Sequence, residues 1–504
     1  MLTAKGRLSG KSRKIHRVTV TKKTIMNKLY KLPLLILLTG VLAGGCKKSF
    51  LKLAPLSNSN AENFYKTKAD FELAINAAYS TLYDIYAPEG PVSYTGEMMG
   101  DNATLYIIAG NQTDKYAFKD YNIKISNSLV YYFWQLYYKS LYNINIVLSK
   151  IEASSLDNAY KENTAAQMRF LRGLYYFHMV RLWGNVPLVT TPITVEESYR
   201  ILRSTSEEEV YSLILDDLKY AEEKLLPANE VVPVGRASKG AAQAALGEVY
   251  LTLQDKANAA TYLTKLYNSP LYDLQPTYAD VWGPNVKNTR ESVFEIQYLG
   301  GAASNGTHSP YYQGFYPNVN PLGFSGVGMN QVSEDLYNEY EAGDPRRDIS
   351  VALGYPRTDG TGIELQKFCI KWADVNTDIV GKTAMANNNF AVYRYADVLL
   401  MLSEATGDPA YLNEVRDRVG LPLFGTPAYP SASYPTLDLA IEHERRVELA
   451  IEFHRWFDLK RTNRAIPVLT AKGKPVTATR LLLPIPETVR TQNNLITQND
   501  GYTE

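Results

Sequence analysis

Apolar residues recur every three or four positions through most of this chain, and that spacing is the strongest limit on its fold. Alanine-rich or aromatic segments with this period lie near 66–86, 130–152, 161–183, 206–226, 237–254, 256–267, 393–406, 408–419 and 437–460. Each such stretch presents one apolar stripe to a neighbour and so predicts an amphipathic helix. Strand-like runs are few and short, the clearest being VFEIQY at 293–298 and LLLPIP at 481–486. The predicted fold is therefore mostly α, a scaffold of helical hairpins with long irregular loops and a few short strands.

Local signals support several of these helices. Ser204-Thr205-Ser206 precedes Glu207, Glu208 and Glu209, placing hydroxyls and acids where the first N–H groups of a helix need acceptors. Gly184 and Pro187 close the 161–183 segment. In ASKGAAQAALGEVYLTLQ, Ala241, Ala244 and Ala245 put small side chains on adjacent turns and let a second helix approach closely, as in stacked hairpins of the TPR type. No 34-residue consensus repeats, so any repetition is structural. Between the helical blocks, the stretches near 87–128, 299–333, 353–390 and 420–436 are polar and rich in Gly, Asn, Pro and Tyr. Loops this long in a folded body usually carry function.

The N-terminus reads as an address. From Met26, Lys28 and Lys31 precede an apolar run from Leu32 to about Leu42, then small residues, then Cys46. That run is too short to span a bilayer and fits the h-region of an export signal. Leu42-Ala43-Gly44-Gly45-Cys46 resembles a bacterial lipobox, with Leu one place further from the Cys than usual, and predicts lipidation of Cys46 as the mature N-terminus. Residues 1–25 form an over-called start before a complete signal, so residues 1–45 are set aside, and either Met1 or Met26 can begin translation. The expected organisation is one domain over 46–504, its helical part at about 60–270 and its loop-rich part at about 270–504.

Charge and cysteine usage narrow the function. The formal charge of +1 hides ten basic residues and no acid in 1–45, so the remainder holds 43 basic against 52 acidic residues. A net acidic chain lacks the basic face that phosphate neutralisation requires, which argues against nucleic acid. Of the two cysteines, Cys46 is taken up by lipid, leaving Cys369 as a small buried apolar residue with no disulfide or zinc partner.

The stretch HERRVELAIEFHRWFDLKR, from His443 to Arg461, concentrates charge and histidine. His443-Glu444 begins an HExxH-like pattern, but Val447 stands where the second metal-binding His is required, so no metal is expected. Glu448 and Glu452 lie one turn apart on a single predicted helix, not across a cleft as a glycosidase demands. Pairing of Arg445 with Glu448, Glu452 with Arg455 and Glu442 with Arg446 is expected to neutralise the run. There is no G-x-S-x-G, no His placed for Cys369, and no phosphate loop in GGAASNG at 300–306. No catalytic residue and no cofactor are predicted.

Several segments together resemble the SusD/RagB family of outer-membrane nutrient-binding lipoproteins. They are Trp134-Gln135-Leu136-Tyr137 with Asn145-Ile146-Val147-Leu148, RFLRGLYYFHMVRLWGNVPLV from Arg169, Gly235-Arg236-Ala237-Ser238-Lys239, ESVFEIQ from Glu291, and YRYADVLLMLSEA from Tyr393. ERRVELAIEFHRWFDLKR, LLLPIPETV and QNDGY at 498–502 complete the set, in family order almost end to end.

The resemblance implies a helical scaffold of four TPR-like hairpins, a lipid anchor at the outer membrane, and a SusC-like TonB-dependent transporter as partner. It also implies capture, without cleavage, of an oligosaccharide or, in some branches, a peptide. Surface exposure is expected, although Lys47-Lys48-Ser49 follows Cys46 where surface-exported members often carry acids. A glycan hydrolase and a protein-only adaptor are the competing expectations. No ligand residue carries over by motif. Sugars are held by aromatic faces beside Asp, Asn and Gln, and that mixture occurs at 94–106 and 308–324. The candidate ligand residues are Asp101, Asn102, Tyr106, Tyr311, Tyr312, Phe315 and Tyr316.

Overall fold

The structure is a computed structural model and describes residues 64–106, 112–301, 307–319, 326–357, 359–374, 386–430 and 432–502. The leader, the lipobox-like segment and Cys46 lie outside the described residues. Among the described residues no helix is long and apolar enough to cross a membrane.

Among the described residues, ten helices carry the architecture: α1 (Lys68–Ile85), α2 (Ser128–Glu152), α3 (Asn158–Trp183), α4 (Glu207–Lys224), α5 (Lys239–Thr252), α6 (Lys256–Tyr267), α7 (Tyr395–Thr406), α8 (Pro409–Arg418), α9 (Leu437–Glu448) and α10 (Arg455–Arg461). Short turns at 153–157, 253–255 and 407–408 make hairpins of α2 with α3, α5 with α6 and α7 with α8. Side-chain caps explain where they begin. Thr67 and Asp70 form a capping box on α1, while Asp157, Ser238, Asp255 and Thr436 each accept an N–H in the first turn of α3, α5, α6 and α9. Gly407 takes the left-handed conformation that ends α7, and Pro409 opens α8.

Each helix packs on its successor, α2 on α3, α3 on α4, α4 on α5, α5 on α6, and α6 on α7. From Phe170 to Trp183 every residue of α3 is buried, so this part of the helix has no wet face. Trp134, Trp183 and Trp456 are all buried, with the first two in edge-to-face contact at 5.3 Å. Gly247 lets α6 close on α5, because a Cβ there would stand 2.4 Å from Leu263.

Among the described residues, three two-stranded antiparallel pairs supplement the helices: β1 (Ala103–Thr104) with β3 (Gln331–Val332), β2 (Ser292–Ile296) with β6 (Phe390–Arg394), and β4 (Val351–Pro356) with β5 (Ile363–Cys369). VFEIQY is thus a strand, but LLLPIP is not. Pro484 and Pro486 have no N–H to give a ladder, and the segment's bonds go to scattered partners: Leu483 donates to the Leu182 carbonyl, Ile485 exchanges two bonds with the Gln498 side chain, and the Leu482 and Leu483 carbonyls accept from Tyr502 and Asn499. The stretch at 353–390, expected to be loop, holds most of the β4–β5 hairpin and the start of β6, and the stretch at 87–128 holds a π-helical turn at Tyr94–Met98 and a helix at Thr113–Lys119.

The predicted helix over 437–460 is two helices. α9 ends at Glu448, and Ile451 and Phe453 adopt φ of 63° and 73°. This break is paid for by hydrogen bonds from other segments. The Glu448 carbonyl accepts from Tyr278, Lys371 and Arg394, the Ala450 carbonyl accepts from Lys371, and Glu97 accepts the N–H groups of Ile451 and Phe453.

Candidate functional site

The charge-rich stretch from His443 to Arg461 is largely buried, and most of its partners come from elsewhere in the chain. Asp344, Glu291, Glu444, Glu448 and Glu452 face Arg346, Arg394, Arg416, Arg418 and Lys371, all of them buried or nearly so. Glu448 meets Arg418 at 2.6 Å, Arg394 at 3.0 Å and Arg346 at 3.1 Å. The pairing expected within one helix is therefore corrected. Arg445 binds Asp397 and Asp458, Glu452 binds Arg394 and Lys371, and Arg446 binds Asp335, Glu339 and Asp101. The reversal after Glu448 turns these side chains toward other elements and ends the helical spacing that would have paired them.

Burial alone would raise the Glu448 pKa, but the surrounding guanidinium groups hold it far below the usual carboxylate range. An acid held ionised in this way cannot donate a proton near neutral pH. Glu341, His443 and Glu444 place one ligand atom each within 4.8 Å of one another. Arg416 already bridges the two carboxylates at 2.7 Å each, supplying the positive charge a metal would bring. Both nitrogens of His443 face carboxylates, Glu339 at 2.9 Å and Glu341 at 3.2 Å. Burial works against its charge, yet these two hydrogen bonds raise its pKa and favour the protonated ring. Cys369 is buried and free, its thiol pushed up by burial to about 12.

The segment 94–106 is tied to this charged web. Gly96 lies against the Phe453 backbone, where a Cβ would stand 2.0 Å from the carbonyl oxygen. Asp101 is buried and accepts from Arg455 at 2.7 and 3.0 Å and from Lys472 at 2.7 Å, with Arg446 at 3.2 Å. Burial opposes its charge, but Arg455 and Arg446 hold it well below the usual range. The Asn102 side chain accepts from Arg446 Nε at 2.8 Å. β1 then pairs with β3, Ala103 opposite Val332 and Thr104 opposite Gln331. Tyr106 follows, 43% exposed, its carbonyl accepting from the Tyr116 hydroxyl.

The second aromatic segment joins the same frame. Gln331 donates to the Phe315 carbonyl at 2.6 Å and accepts from Gln366 at 2.8 Å, while Met329 and Val327 donate backbone N–H groups to Gly314 and Gln313. On the helical turn Tyr311–Phe315, Tyr311 is fully buried, stacked on Phe390 at 4.7 Å and bonded to the Tyr86 carbonyl. Phe315 is equally buried between Trp372 and Phe453. Tyr316 lies in a small separate cluster with Tyr355 and Phe368. Tyr312 is half-buried on the edge of that cluster, edge-to-face with Tyr316 at 5.8 Å.

Of the seven candidate residues, Tyr106 and Tyr312 reach solvent, and the other five are buried in the framework that joins the two segments. Gln331, Gln366, Arg455 and Lys472 complete that framework, and no local sequence signal marks them, because each acts on a residue more than a dozen positions away. Two clefts are lined by neither tyrosine. One of about 780 Å³ lies between α2, α3 and α4, and one of about 360 Å³ beside α9 is lined by Tyr434, His443, Arg464 and Lys472.

Comparison with known proteins agrees with this architecture. A SusD-like family model, described as starch-binding and associating with the outer membrane, matches residues 50–251, and the SusD family model matches residues 352–502. The SusD-like protein P2 of Formosa agariphila is 29% identical, the alignment covering 94% of this chain and 100% of that protein. Among solved structures, a laminarin-binding SusD-like protein superposes with a TM-score of 0.75 at 27% identity, covering 87% of this chain and 100% of the other. NanU of B. fragilis superposes with a TM-score of 0.71 at 25% identity, covering 90% and 100%. With a mostly helical SusD-like fold and family matches on both sides of the chain, the protein belongs to the SusD/RagB family of non-catalytic, outer-membrane-associated glycan-binding proteins.

Proposed function

We propose that this protein captures a neutral glycan or its oligosaccharides at the cell surface through Tyr106 and Tyr312 and hands them to a SusC-like TonB-dependent transporter. The lipid that tethers it to the outer membrane is carried on Cys46. One observation supports the ligand site above others. Two sequence-distant segments bearing accessible tyrosines are hydrogen-bonded into one frame through β1, β3 and Gln331. Aromatic faces of this kind stack on the apolar faces of sugars. The buried members Asp101, Asn102, Tyr311, Phe315 and Tyr316 hold that pair in place. Laminarin is the first ligand to test, because a similar solved protein binds it.

Titration calorimetry with laminarin, starch and a mixed peptide pool tests this reading. Binding of a glycan is expected, with Tyr106→Ala and Tyr312→Ala each weakening it about tenfold, or ~1.4 kcal/mol. Binding left unchanged by both substitutions sinks the site. Affinity for the peptide pool alone turns the assignment to peptide uptake, and shortened glycan products turn it to a hydrolase. Co-purification with an outer-membrane transporter from intact membranes tests the partner.

A further inference from the structure

We infer that Asp101 is a positioning residue for glycan recognition, a buried anion whose three cations fix where Tyr106 stands relative to Tyr312. The inference rests on the ligand site proposed above.

The geometry runs in one direction. Asp101 is the point where the segment 94–106 is clamped. Its carboxylate takes both a fork from Arg455 and a bond from Lys472, with Arg446 beside it, and its carbonyl accepts from Ser333. Asn102 extends the clamp through its side chain to Arg446 and through its carbonyl to the Ser333 N–H. Beyond it, Ala103 and Thr104 pair with Val332 and Gln331, and only Leu105 separates that pairing from Tyr106. Gln331 in turn bonds the Phe315 carbonyl on the turn that carries Tyr312. Displacing Asp101 therefore moves one aromatic group directly and strains the link to the other.

Charge decides which partner suffers most. Without the Asp101 carboxylate, Arg446 keeps Asp335 and Glu339, and Lys472 keeps Asp335. Arg455, itself buried, keeps Glu442 at 3.5 Å. A buried guanidinium with one long ion pair is driven to shift toward solvent or another acceptor, and the segment at 94–106 packs against it. Gly100 packs directly on the Arg455 side chain, with a Cβ position 3.1 Å from Arg455 Cγ. The clamp thus does more than add stability. It couples the charged web around α9 and α10 to the placement of a ligand-facing ring.

The test compares Asp101→Asn with Asp217→Asn, a buried aspartate of the helical scaffold bound by Arg172 at 2.6 and 2.8 Å. Both are expected to lower the melting temperature. Only Asp101→Asn is expected to weaken laminarin binding, about tenfold, since a binding group loosened by its support loses affinity before it loses fold. Backbone amide exchange at 99–106 and 327–333 should accelerate in Asp101→Asn and stay unchanged in Asp217→Asn. Should Asp101→Asn fail to fold, Lys472→Met removes the outermost cation and is expected to produce the same two effects, about threefold in affinity. Wild-type affinity in a folded Asp101→Asn, or unchanged exchange in both segments, overturns the inference. If the wild type does not bind laminarin, that glycan assignment fails by itself, and exchange alone decides whether Asp101 holds the segment.

Discussion

Removing the Glu452 carboxylate would leave Arg394 and Lys371 buried with one fewer anion between them. Arg394 meets Glu452 at 2.7 and 3.0 Å, and Lys371 meets it at 2.8 Å. Breaking one side of a buried ion pair costs about 3–5 kcal/mol, far more than the pair contributes over a well-packed apolar substitute. Glu452→Ala is therefore expected to lower the urea midpoint by that equivalent and to leave glycan affinity of the folded fraction intact. A normally stable variant with selectively lost binding would move this residue from scaffold to site. The same reasoning separates the tyrosines. Tyr311 and Tyr106 are chemically identical in the sequence, yet one is a core ring bonded to the Tyr86 carbonyl and the other reaches solvent.

At the scale of elements, the informative feature is the break between α9 and α10. Local spacing continues helically across it, because Leu449, Ala450, Ile451 and Phe453 are apolar and the flanking charges recur at helical intervals. What stops the helix is a set of distant groups that satisfy its end, namely Glu97 on the N–H groups and Lys371, Arg394 and Tyr278 on the carbonyls. Gly96 makes this approach sterically possible. Gly96→Ala forces a methyl group onto the Phe453 carbonyl oxygen and is expected to destabilise the protein by about 1–3 kcal/mol. Chemical denaturation measures that loss, and an unchanged midpoint would show that the backbone contact yields at no cost. The β4–β5 hairpin was illegible for a related reason. Its polar and apolar residues alternate too weakly to mark two strands, and the connection between them holds Gly360 and Gly362.

For the whole molecule, burial of so many ionised groups predicts stability with a maximum in pH. Glu339 and Glu341 are buried enough for desolvation to raise their pKa, but hydrogen bonds from His443 and the charges of nearby arginines lower both to about 2, and Glu448 and Asp101 are likewise depressed. Carboxylates with lowered folded-state pKa values stabilise above their unfolded pKa and lose that contribution as pH falls from there through the folded value. Glu97 has the opposite sign. Burial raises it to about 7, so its contribution is complete below its unfolded value near 4.5 and is lost as pH rises through 7. Melting temperature is expected to climb from pH 3 to about 5 and to decline toward pH 8. Glu97→Gln should flatten only the alkaline side. A decline of equal slope in wild type and variant would remove Glu97 as its cause.

The sequence alone carries most of the helices, the glycine that ends α3, the short strand at Ser292–Ile296 and the lack of catalytic spacing, because periodicity and motif geometry are properties of neighbouring residues, whereas the hydroxyl expected to cap α4 at Ser206 makes no capping bond there. It also carried the resemblance to a binding family. Tertiary structure decided which arginine neutralises which glutamate, where the last long helix breaks, and which tyrosines reach solvent. Those outcomes depend on groups brought together from distant parts of the chain, such as Asp101 with Arg455 and Glu97 with Phe453. HERRVELAIEFHRWFDLKR resembled an active site because charge was concentrated in it. Folding distributes that charge among partners from nearly the whole chain, and in the buried interior a charge is set by its spatial neighbours rather than by its position in the sequence.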